Sequence, residues 1–163
     1  MTCDYLVGSG RQALNLIARD LRADGIDTLL APSWNCATML LGFQLEGFRV
    51  RTIPVDATGQ LRPDALVRVL HGVGRPVAVL HSLTLGSPTK NQLVVVLADA
   101  RSAGHQIIVD ASHAPLDPLP PADYAMASLR KLLPLPDGAW VSGIRPPSLN
   151  ARAALDEELV AAR

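Results

Sequence analysis

The 163-residue sequence has no surplus of charge of either sign, because 15 lysines and arginines balance 15 aspartates and glutamates. A chain without net charge has no general electrostatic attraction to nucleic acids or to anionic membrane surfaces. Its longest apolar runs, such as L93-V-V-V-L-A98, are far too short to span a bilayer. We therefore expect a protein that binds neither nucleic acid nor a membrane.

Cysteine and histidine are also scarce. The two cysteines, Cys3 and Cys36, form neither a disulfide framework nor a C-x-x-C pair. The four histidines are scattered, and no two of them have the spacing of zinc ligands. The N-terminus lacks the basic-then-apolar pattern of a signal peptide. These absences predict a cytoplasmic protein without a metal site.

Strand-like and helix-like segments alternate along the whole chain. The predicted strands are Asp4–Val7, Thr28–Ala31, Arg49–Pro54, Pro76–His81, Gln106–Asp110, Asp123–Ala127 and Ala139–Gly143. The predicted helices are Arg11–Ala23, Asn35–Leu45, Pro63–Leu70, Lys90–Ala103 and Leu149–Ala162. Alternation of this kind is typical of a doubly wound α/β domain.

Several predicted strands, such as V77-A-V-L80 and I107-I-V109, are apolar at every position. A strand of this composition is covered on both faces, as in a mostly parallel sheet with helices on both sides. We expect residues 1–163 to form a single domain of this class. Ligands bind such domains at the carboxyl ends of the strands, so functional residues are sought there.

The first strand leads into the turn G8-S-G-R11 and the start of a helix. The free amides at a helix start bind anions. With Ala13, the turn matches the dinucleotide pattern G-x-G-x-x-A, but that reading needs an acidic residue at the end of the next strand. That strand ends in A31-P-S-W34, without an acid. The residues therefore favour an anion other than a dinucleotide, while a nicotinamide-binding domain stays an alternative.

Asp110 ends an all-apolar strand, and His113 follows three residues later. A carboxylate in such a place is poorly solvated unless it has a positive partner. Taken alone, Asp110 could also be a helix cap or a member of a loop ion pair, and His113 could be a histidine satisfied within a turn.

Ser128 and Lys131 follow the next strand in the tetrapeptide S128-L-R-K131. The pattern S-x-x-K marks the nucleophile of penicillin-recognising enzymes, but their S-D-N and K-T-G motifs do not occur in this sequence. Lys131 alone could be a solvated surface lysine. The other lysine of the chain, Lys90, lies in a loop before a predicted helix.

The order of these groups is more specific than any one of them. A phosphate turn, a strand-end aspartate and a strand-end serine and lysine are what pyridoxal phosphate chemistry requires. The helix start would hold the phosphate, the carboxylate would keep the pyridine nitrogen protonated, and the lysine amine would form the Schiff base.

The sequence resembles the large domain of fold-type-I pyridoxal phosphate enzymes, in particular the DegT/DnrJ/EryC1/StrS aminotransferase-like family. The resemblance runs from residue 5 to about residue 143. The matching segments are S9-G-R-Q-A-L14, P32-S-W-N-C-A-T38, V79-L-H-S-L-T-L-G86, I108-V-D-A-S-H-A114 and S128-L-R-K-L-L-P-L-P-D-G138.

On the phosphate side, the resemblance implies that Ser9, Gly10 and Arg11 form the phosphate cup at the helix start. Ser128 then matches a phosphate-binding hydroxyl. Lys131 matches the lysine that forms the internal aldimine.

On the ring side, Asp110 matches the carboxylate that pairs with the pyridine nitrogen, and His113 matches a polar position near the ring oxygen. The family position that stacks on the ring is usually aromatic, and it aligns with Cys36. Trp34, two residues away, could supply the ring instead if the loop is set differently.

The resemblance implies an aminotransferase-like enzyme that moves an amino group from a small donor to a keto compound, possibly one linked to a sugar. The family has a C-terminal small domain and builds its site in a dimer, and we expect this chain to lack that small domain. A truncated, non-catalytic module that needs a partner chain is therefore an alternative. Leu132–Pro136 is a candidate exposed apolar patch for a homodimer or partner.

Overall fold

The computed structural model describes residues 4–114 and 118–145. In those residues seven strands form one sheet, connected by four α-helices and two short 3-10 helices. The strands are β1 (Tyr5–Val7), β2 (Thr28–Pro32), β3 (Arg49–Ile53), β4 (Ala78–Ser82), β5 (Gln106–Asp110), β6 (Tyr124–Ser128) and β7 (Ala139–Ser142). The α-helices are α1 (Gly10–Ala23), α2 (Ala37–Leu45), α3 (Pro63–His71) and α4 (Asn91–Ser102), and the 3-10 helices are Thr84–Gly86 and Leu129–Lys131.

The elements predicted within the described residues are present, and their ends differ from the predicted ones by no more than two residues. Two elements begin two residues later than predicted: α2 at Ala37 instead of Asn35, and β4 at Ala78 instead of Pro76. Proline has no N–H to give to a strand ladder, so pairing begins after it. The helix predicted over Leu149–Ala162 lies outside the described residues.

The strands lie in the order β1-β7-β6-β5-β4-β2-β3. The pairs β2–β3, β2–β4, β4–β5 and β5–β6 are parallel, whereas β7 runs antiparallel to both β6 and β1. The sheet is therefore mostly parallel, as the apolar strands predicted.

Helices cover both faces of this sheet. On one face, Leu29 of β2 belongs to a buried cluster with Ile17 of α1 and Phe43 of α2. On the other face, Leu30 belongs to a cluster that contains Leu66 of α3 and Leu97 of α4. Successive residues of β2 thus serve opposite faces, which confirms the doubly wound α/β fold.

The topology places the carboxyl ends of several strands at one edge of the sheet. Strands β4, β5 and β6 are parallel neighbours, and they end at Ser82, Asp110 and Ser128. Strand β1 runs in the same direction as β6, because both are antiparallel to β7. The start of α1 therefore lies at the same edge as the ends of these strands.

In the part of the chain that the structure describes, no helix has the length and apolar character needed to cross a membrane. Within the same residues, no group of three or more histidine, cysteine or acidic side chains has a metal-holding arrangement.

Candidate functional site

Two adjoining cavities lie at the carboxyl edge of the sheet. The helix-side cavity, of about 500 Å³, is lined at the start of α1 and the end of β6 by Ser9, Gly10, Arg11, Ser128 and Arg130. The tryptophan-side cavity, of about 350 Å³, is lined by Trp34, Asn35, Leu83, Thr84, Leu85 and His113. Both cavities share Cys36, Met39, Asp110, Ser112 and Lys131.

Every site residue that the sequence predicted lines one or both of these cavities. The phosphate-side candidates lie in the helix-side cavity, while Trp34 and His113 lie in the tryptophan-side cavity. Asp110 and Lys131 line both. Candidates that are more than one hundred residues apart in the chain are therefore brought to one place.

Helix α1 begins with an N-cap at Ser9, in extended backbone conformation. The Ser9 hydroxyl accepts a hydrogen bond from the backbone N–H of Gln12, at 3.4 Å. The first amides of a helix have no acceptor within the helix, and the helix dipole makes this end partly positive. Gly10 and Arg11, the first two helical residues, line the helix-side cavity, which therefore suits an anion.

Gly10 lets the helix start pack closely on the end of β6. A Cβ atom at this position would lie 2.9 Å from Met126 Cε and 3.3 Å from Ser128 Cβ. The role of this glycine is thus close packing of α1 against the strand.

A further backbone link fixes the turn that precedes α1. Gly138 donates its N–H to the carbonyl oxygen of Gly8, at 2.7 Å, and accepts a hydrogen bond from the N–H of Leu129, at 2.9 Å. The glycine turn and the 3-10 helix that carries Lys131 are therefore held together through a single residue.

Asp110 is a buried carboxylate, only 6% exposed, at the junction of the two cavities. Its Oδ1 atom accepts a hydrogen bond from the backbone N–H of Ser112, at 2.8 Å. Among the residues that the structure describes, no basic side chain forms an ion pair with it. A buried carboxylate is costly without a positive partner, so this position fits a ligand with a cationic N–H.

Ser112 connects Asp110 to the phosphate-side candidates. Besides donating its N–H to Asp110, Ser112 accepts the backbone N–H of Ser128 at its Oγ atom, at 2.9 Å. The ends of β5 and β6 are thus joined by two successive hydrogen bonds through one buried serine.

The side chains of Lys131 and His113 are in contact, with 3.3 Å between Lys131 Nζ and His113 Nε2. His113 Nδ1 accepts a hydrogen bond from the backbone N–H of Leu85, at 3.1 Å. A neutral imidazole that accepts at Nδ1 carries its proton on Nε2. The imidazole is thus turned towards Lys131, and the free amine is the form of lysine that attacks an aldehyde.

The amide that orients His113 belongs to a strained residue. Leu85 has a φ of 54° and a ψ of 26°, in the left-handed region. This conformation costs a non-glycine residue about 1–2 kcal/mol. Strain of this kind persists only where its surroundings enforce it, and here it lies at the rim of the tryptophan-side cavity.

Cys36 and Trp34 occupy different places in the two cavities. Cys36 lines both, together with Asp110 and Lys131, whereas Trp34 lines only the tryptophan-side cavity. Hydrogen bonding from Thr38, chiefly from its hydroxyl 3.0 Å from Sγ, lowers the pKa of the Cys36 thiol, and the charge of Lys131 adds to this. Cys36 thus shares both cavities with the aspartate and the lysine, whereas Trp34 shares one.

The sequence analysis missed three residues of the site. Ser112 lies two residues after Asp110 in D110-A-S-H113, the spacing at which an aspartate side chain accepts a backbone N–H in a turn. Arg130 directly precedes Lys131 and lines the helix-side cavity. Ser82 pairs across the sheet with Asp110, and its buried Oγ atom has no hydrogen-bond partner.

Together, the fold and the site define an α/β domain with a helix start suited to an anion and a buried aspartate and a lysine beside it. Comparison with known proteins gives the fold a closer description. No protein-family model and no curated protein matches the sequence.

Solved structures do match. The chain is similar to 3-amino-5-hydroxybenzoic acid synthase, with 21% identity and a TM-score of 0.68 over 93% of this chain and 40% of the other. It is similar to a DegT DnrJ EryC1 StrS aminotransferase from Brucella abortus, with 18% identity and a TM-score of 0.65 over 85% and 41% of the two chains. It also matches an aminotransferase from Bacillus cereus described as dependent on pyridoxal phosphate, with 16% identity and a TM-score of 0.68 over 83% and 39%.

These likenesses confirm the fold that the sequence motifs implied, that of a pyridoxal phosphate-dependent aminotransferase large domain. At this level of identity they show the fold alone. The chain spans about two fifths of the length of these neighbours.

Proposed function

We propose that the chain binds pyridoxal phosphate at the junction of the two cavities. Together with a second copy or a partner chain, it transfers an amino group to a keto compound. The observation that carries this proposal is that Asp110 and Lys131 meet at the junction of the two cavities. A buried carboxylate without a cation and a lysine in contact with an imidazole line the same two cavities.

The residues of the helix-side cavity fit the phosphate. The first amides of α1 and the hydroxyls of Ser9 and Ser128 offer hydrogen bonds. Arg11 and Arg130 bring two guanidinium groups to the same cavity, and guanidinium groups bind phosphate strongly.

The shared wall of the two cavities fits the ring. Asp110 would pair with the protonated pyridine nitrogen, and Ser112 would hold that carboxylate in place through its N–H. Cys36, at the start of α2, would lie against the ring in the position that is usually aromatic. Trp34, which lines only the tryptophan-side cavity, is not assigned to the cofactor ring.

When bound, pyridoxal phosphate supplies an aldehyde for amines and an electron-withdrawing ring that stabilises negative charge on the adjacent carbon. This chain would supply the amine of Lys131, with the His113 imidazole in contact with it. It would also supply the carboxylate of Asp110, which would keep the ring nitrogen protonated.

The substrates and the assembly are part of the same proposal. The expected substrates are a small amino donor and a keto acceptor, and the expected compartment is the cytoplasm. Leu132, Leu133 and Leu135, which follow Lys131, are 56%, 49% and 44% exposed. Exposed leucines beside a site favour a homodimer or a partner chain that covers them. They also support a second candidate function, a non-catalytic module that requires such a partner.

The test is a spectroscopic titration of the purified chain with pyridoxal phosphate. We expect a saturable visible absorption band in wild-type protein. Lys131→Ala should abolish the band, while Lys90→Ala should retain it, because Lys90 is paired with Asp56 at 2.6 Å and lines neither cavity.

Addition of an amino donor then separates enzyme from module. Conversion of the bound cofactor to pyridoxamine phosphate supports the enzyme, and its absence in a chain that retains the band supports the module. A band that survives in Lys131→Ala and disappears in Lys90→Ala contradicts the proposal.

A further inference from the structure

Trp34 is the large aromatic residue of the site, and it is 57% exposed at the mouth of the tryptophan-side cavity. The other tryptophan, Trp140, is buried in the core and 5% exposed. A half-exposed indole beside a cavity that also contains Lys131 is a candidate for contact with a small ligand.

One side of the indole packs closely against the turn that contains Gly59. Gly59 has a φ of 76°, and a Cβ atom there would lie 2.7 Å from Trp34 Cζ3 and 2.8 Å from Cε3. The same Cβ would lie 3.0 Å from Thr84 Cγ2. The glycine therefore provides both the left-handed backbone and the space in which the ring rests.

The residues on either side of Trp34 are fixed as well. Ser33 donates its N–H to the carbonyl of Ile53, at 2.8 Å, and Asn35 donates its side-chain amide to the carbonyl of Pro32, at 2.5 Å. The indole is therefore oriented before any ligand arrives, and the entropic cost of ordering it on binding is small.

The described lining of the tryptophan-side cavity has no charged side chain left to pair with a charged substrate. Among the described residues that line it, the ionisable side chains are Cys36, Asp110, His113 and Lys131, and the proposed function engages all four with the cofactor. The remaining lining residues are neutral, with Leu83 and Leu85 beside Trp34. A substrate carboxylate or phosphate in this space would thus find no cation of its own in the described residues.

We propose that Trp34 determines substrate specificity by stacking on an uncharged ring of the acceptor, and that it is not a cofactor contact. This inference rests on the proposed function, because the ring is placed relative to Lys131. The ring can be a saturated sugar ring or a carbocyclic or aromatic ring, since each has an apolar face that can pack on an indole. A dicarboxylic keto acid does not have this chemistry.

The test is a tryptophan fluorescence titration of the full chain, with and without pyridoxal phosphate. The probes are methyl α-glucopyranoside for a saturated ring, phenol for an aromatic ring, and glutarate for a dicarboxylate. We expect a saturable change with at least one neutral ring and none with glutarate. The neutral probe that binds more tightly shows whether the acceptor ring is saturated or aromatic.

Two variants make the assignment specific. In Trp34→Leu, the fluorescence of buried Trp140 should not respond to the probes, and calorimetry should show at least fivefold weaker ring binding. In Gly59→Ala, the seat of the indole is obstructed, and ring binding should weaken while the cofactor band persists. Leu45→Ala removes an exposed side chain that lines neither cavity, and it should leave both measurements unchanged.

Three results would overturn the inference: equal ring binding by Trp34→Leu, preference for glutarate, or no saturable change with any neutral ring. A fourth is a Trp34 emission that shifts on dilution without ligand, because the indole would then pack against a second copy of the chain. The cofactor band separates the two proposals. Its loss with ring binding intact rejects the proposed function alone, whereas its presence without ring binding rejects only this inference.

Discussion

The helix-side and tryptophan-side cavities adjoin, yet they are built in different ways. The helix-side cavity is formed by strand ends and turns that are joined by hydrogen bonds. Ser112 joins β5 to β6, and Gly138 joins the turn before α1 to the 3-10 helix of Lys131. The tryptophan-side cavity is bordered by the exposed apolar side chains of Trp34 and Leu85. Leu85 and Gly59, which lies beside the indole, have positive φ angles.

This difference is informative about what each cavity binds. A phosphate with fixed geometry requires donors at fixed positions, and the helix-side cavity offers serine hydroxyls, helix amides and two arginines. A neutral ring requires a surface instead, and the tryptophan-side cavity offers an indole and leucines. Asp110, Cys36 and Lys131 lie where the two meet, which is where a cofactor would face a substrate.

The largest effect is expected at the junction. Asp110→Asn removes the charge that would pair with the ring nitrogen but keeps an acceptor for Ser112. The loss of a hydrogen bond between charged groups, worth about 1.5–3 kcal/mol, corresponds to roughly 10- to 100-fold weaker binding of pyridoxal phosphate. Absorption titration measures this change. Inorganic phosphate should bind the variant as it binds wild type, and equal loss of both ligands would contradict the assigned role.

A smaller effect is expected for Ser112→Ala, which leaves the N–H of Ser128 buried and without its acceptor. The free energy of unfolding should fall by about 1–3 kcal/mol. Urea denaturation measures this, with Ser102→Ala as the matched control, because the exposed Ser102 hydroxyl bonds to the carbonyl of Ala98 within its own helix. If the two serine variants are equally stable, the link between β5 and β6 is not the support described above.

On the tryptophan side, Leu85→Asn should stabilise the chain by up to about 1 kcal/mol, because asparagine tolerates the left-handed conformation better than leucine does. The backbone N–H that orients His113 is retained. Thermal unfolding measures the gain, and Leu132→Asn, at an exposed leucine with φ of −121°, is the control. A loss of stability at Leu85 alone would show that its side chain matters more than its strain.

The smallest effect concerns the thiol on the shared wall. Because hydrogen bonding from Thr38 lowers the pKa of Cys36, Thr38→Val should raise it and reduce the thiolate fraction near neutral pH. Alkylation of Cys36 at pH 7, followed by mass spectrometry of its peptide, should slow by a few-fold. Ligands of either cavity should protect Cys36 in wild type. Protection by only one class of ligand would mean that the two cavities do not share this wall.

Much of this architecture could be predicted from the sequence. All-apolar runs such as I107-I-V109 indicated buried parallel strands, and residues at strand ends, such as Asp110 and Lys131, indicated the site. The prediction of the fold is confirmed, because burial and strand direction are imposed by local composition and by the alternation of elements. The roles assigned to Asp110 and Lys131 stay predictions.

Contacts between distant segments could not be predicted in this way. The packing of Trp34 on Gly59 and the contact of His113 with both Leu85 and Lys131 depend on how turns from different strands meet. The left-handed Leu85 is contrary to the preference of its own residue type, so no local rule could indicate it. The role of Ser112 likewise depends on the neighbouring strand.

The central claim is that Lys131 is the amine that receives the cofactor aldehyde. The direct measurement is borohydride reduction of the chain with pyridoxal phosphate, followed by mass mapping of its peptides. The account predicts one phosphopyridoxyl group, on Lys131, with Lys90 unmodified. Modification of Lys90, of both lysines equally, or of neither would contradict it.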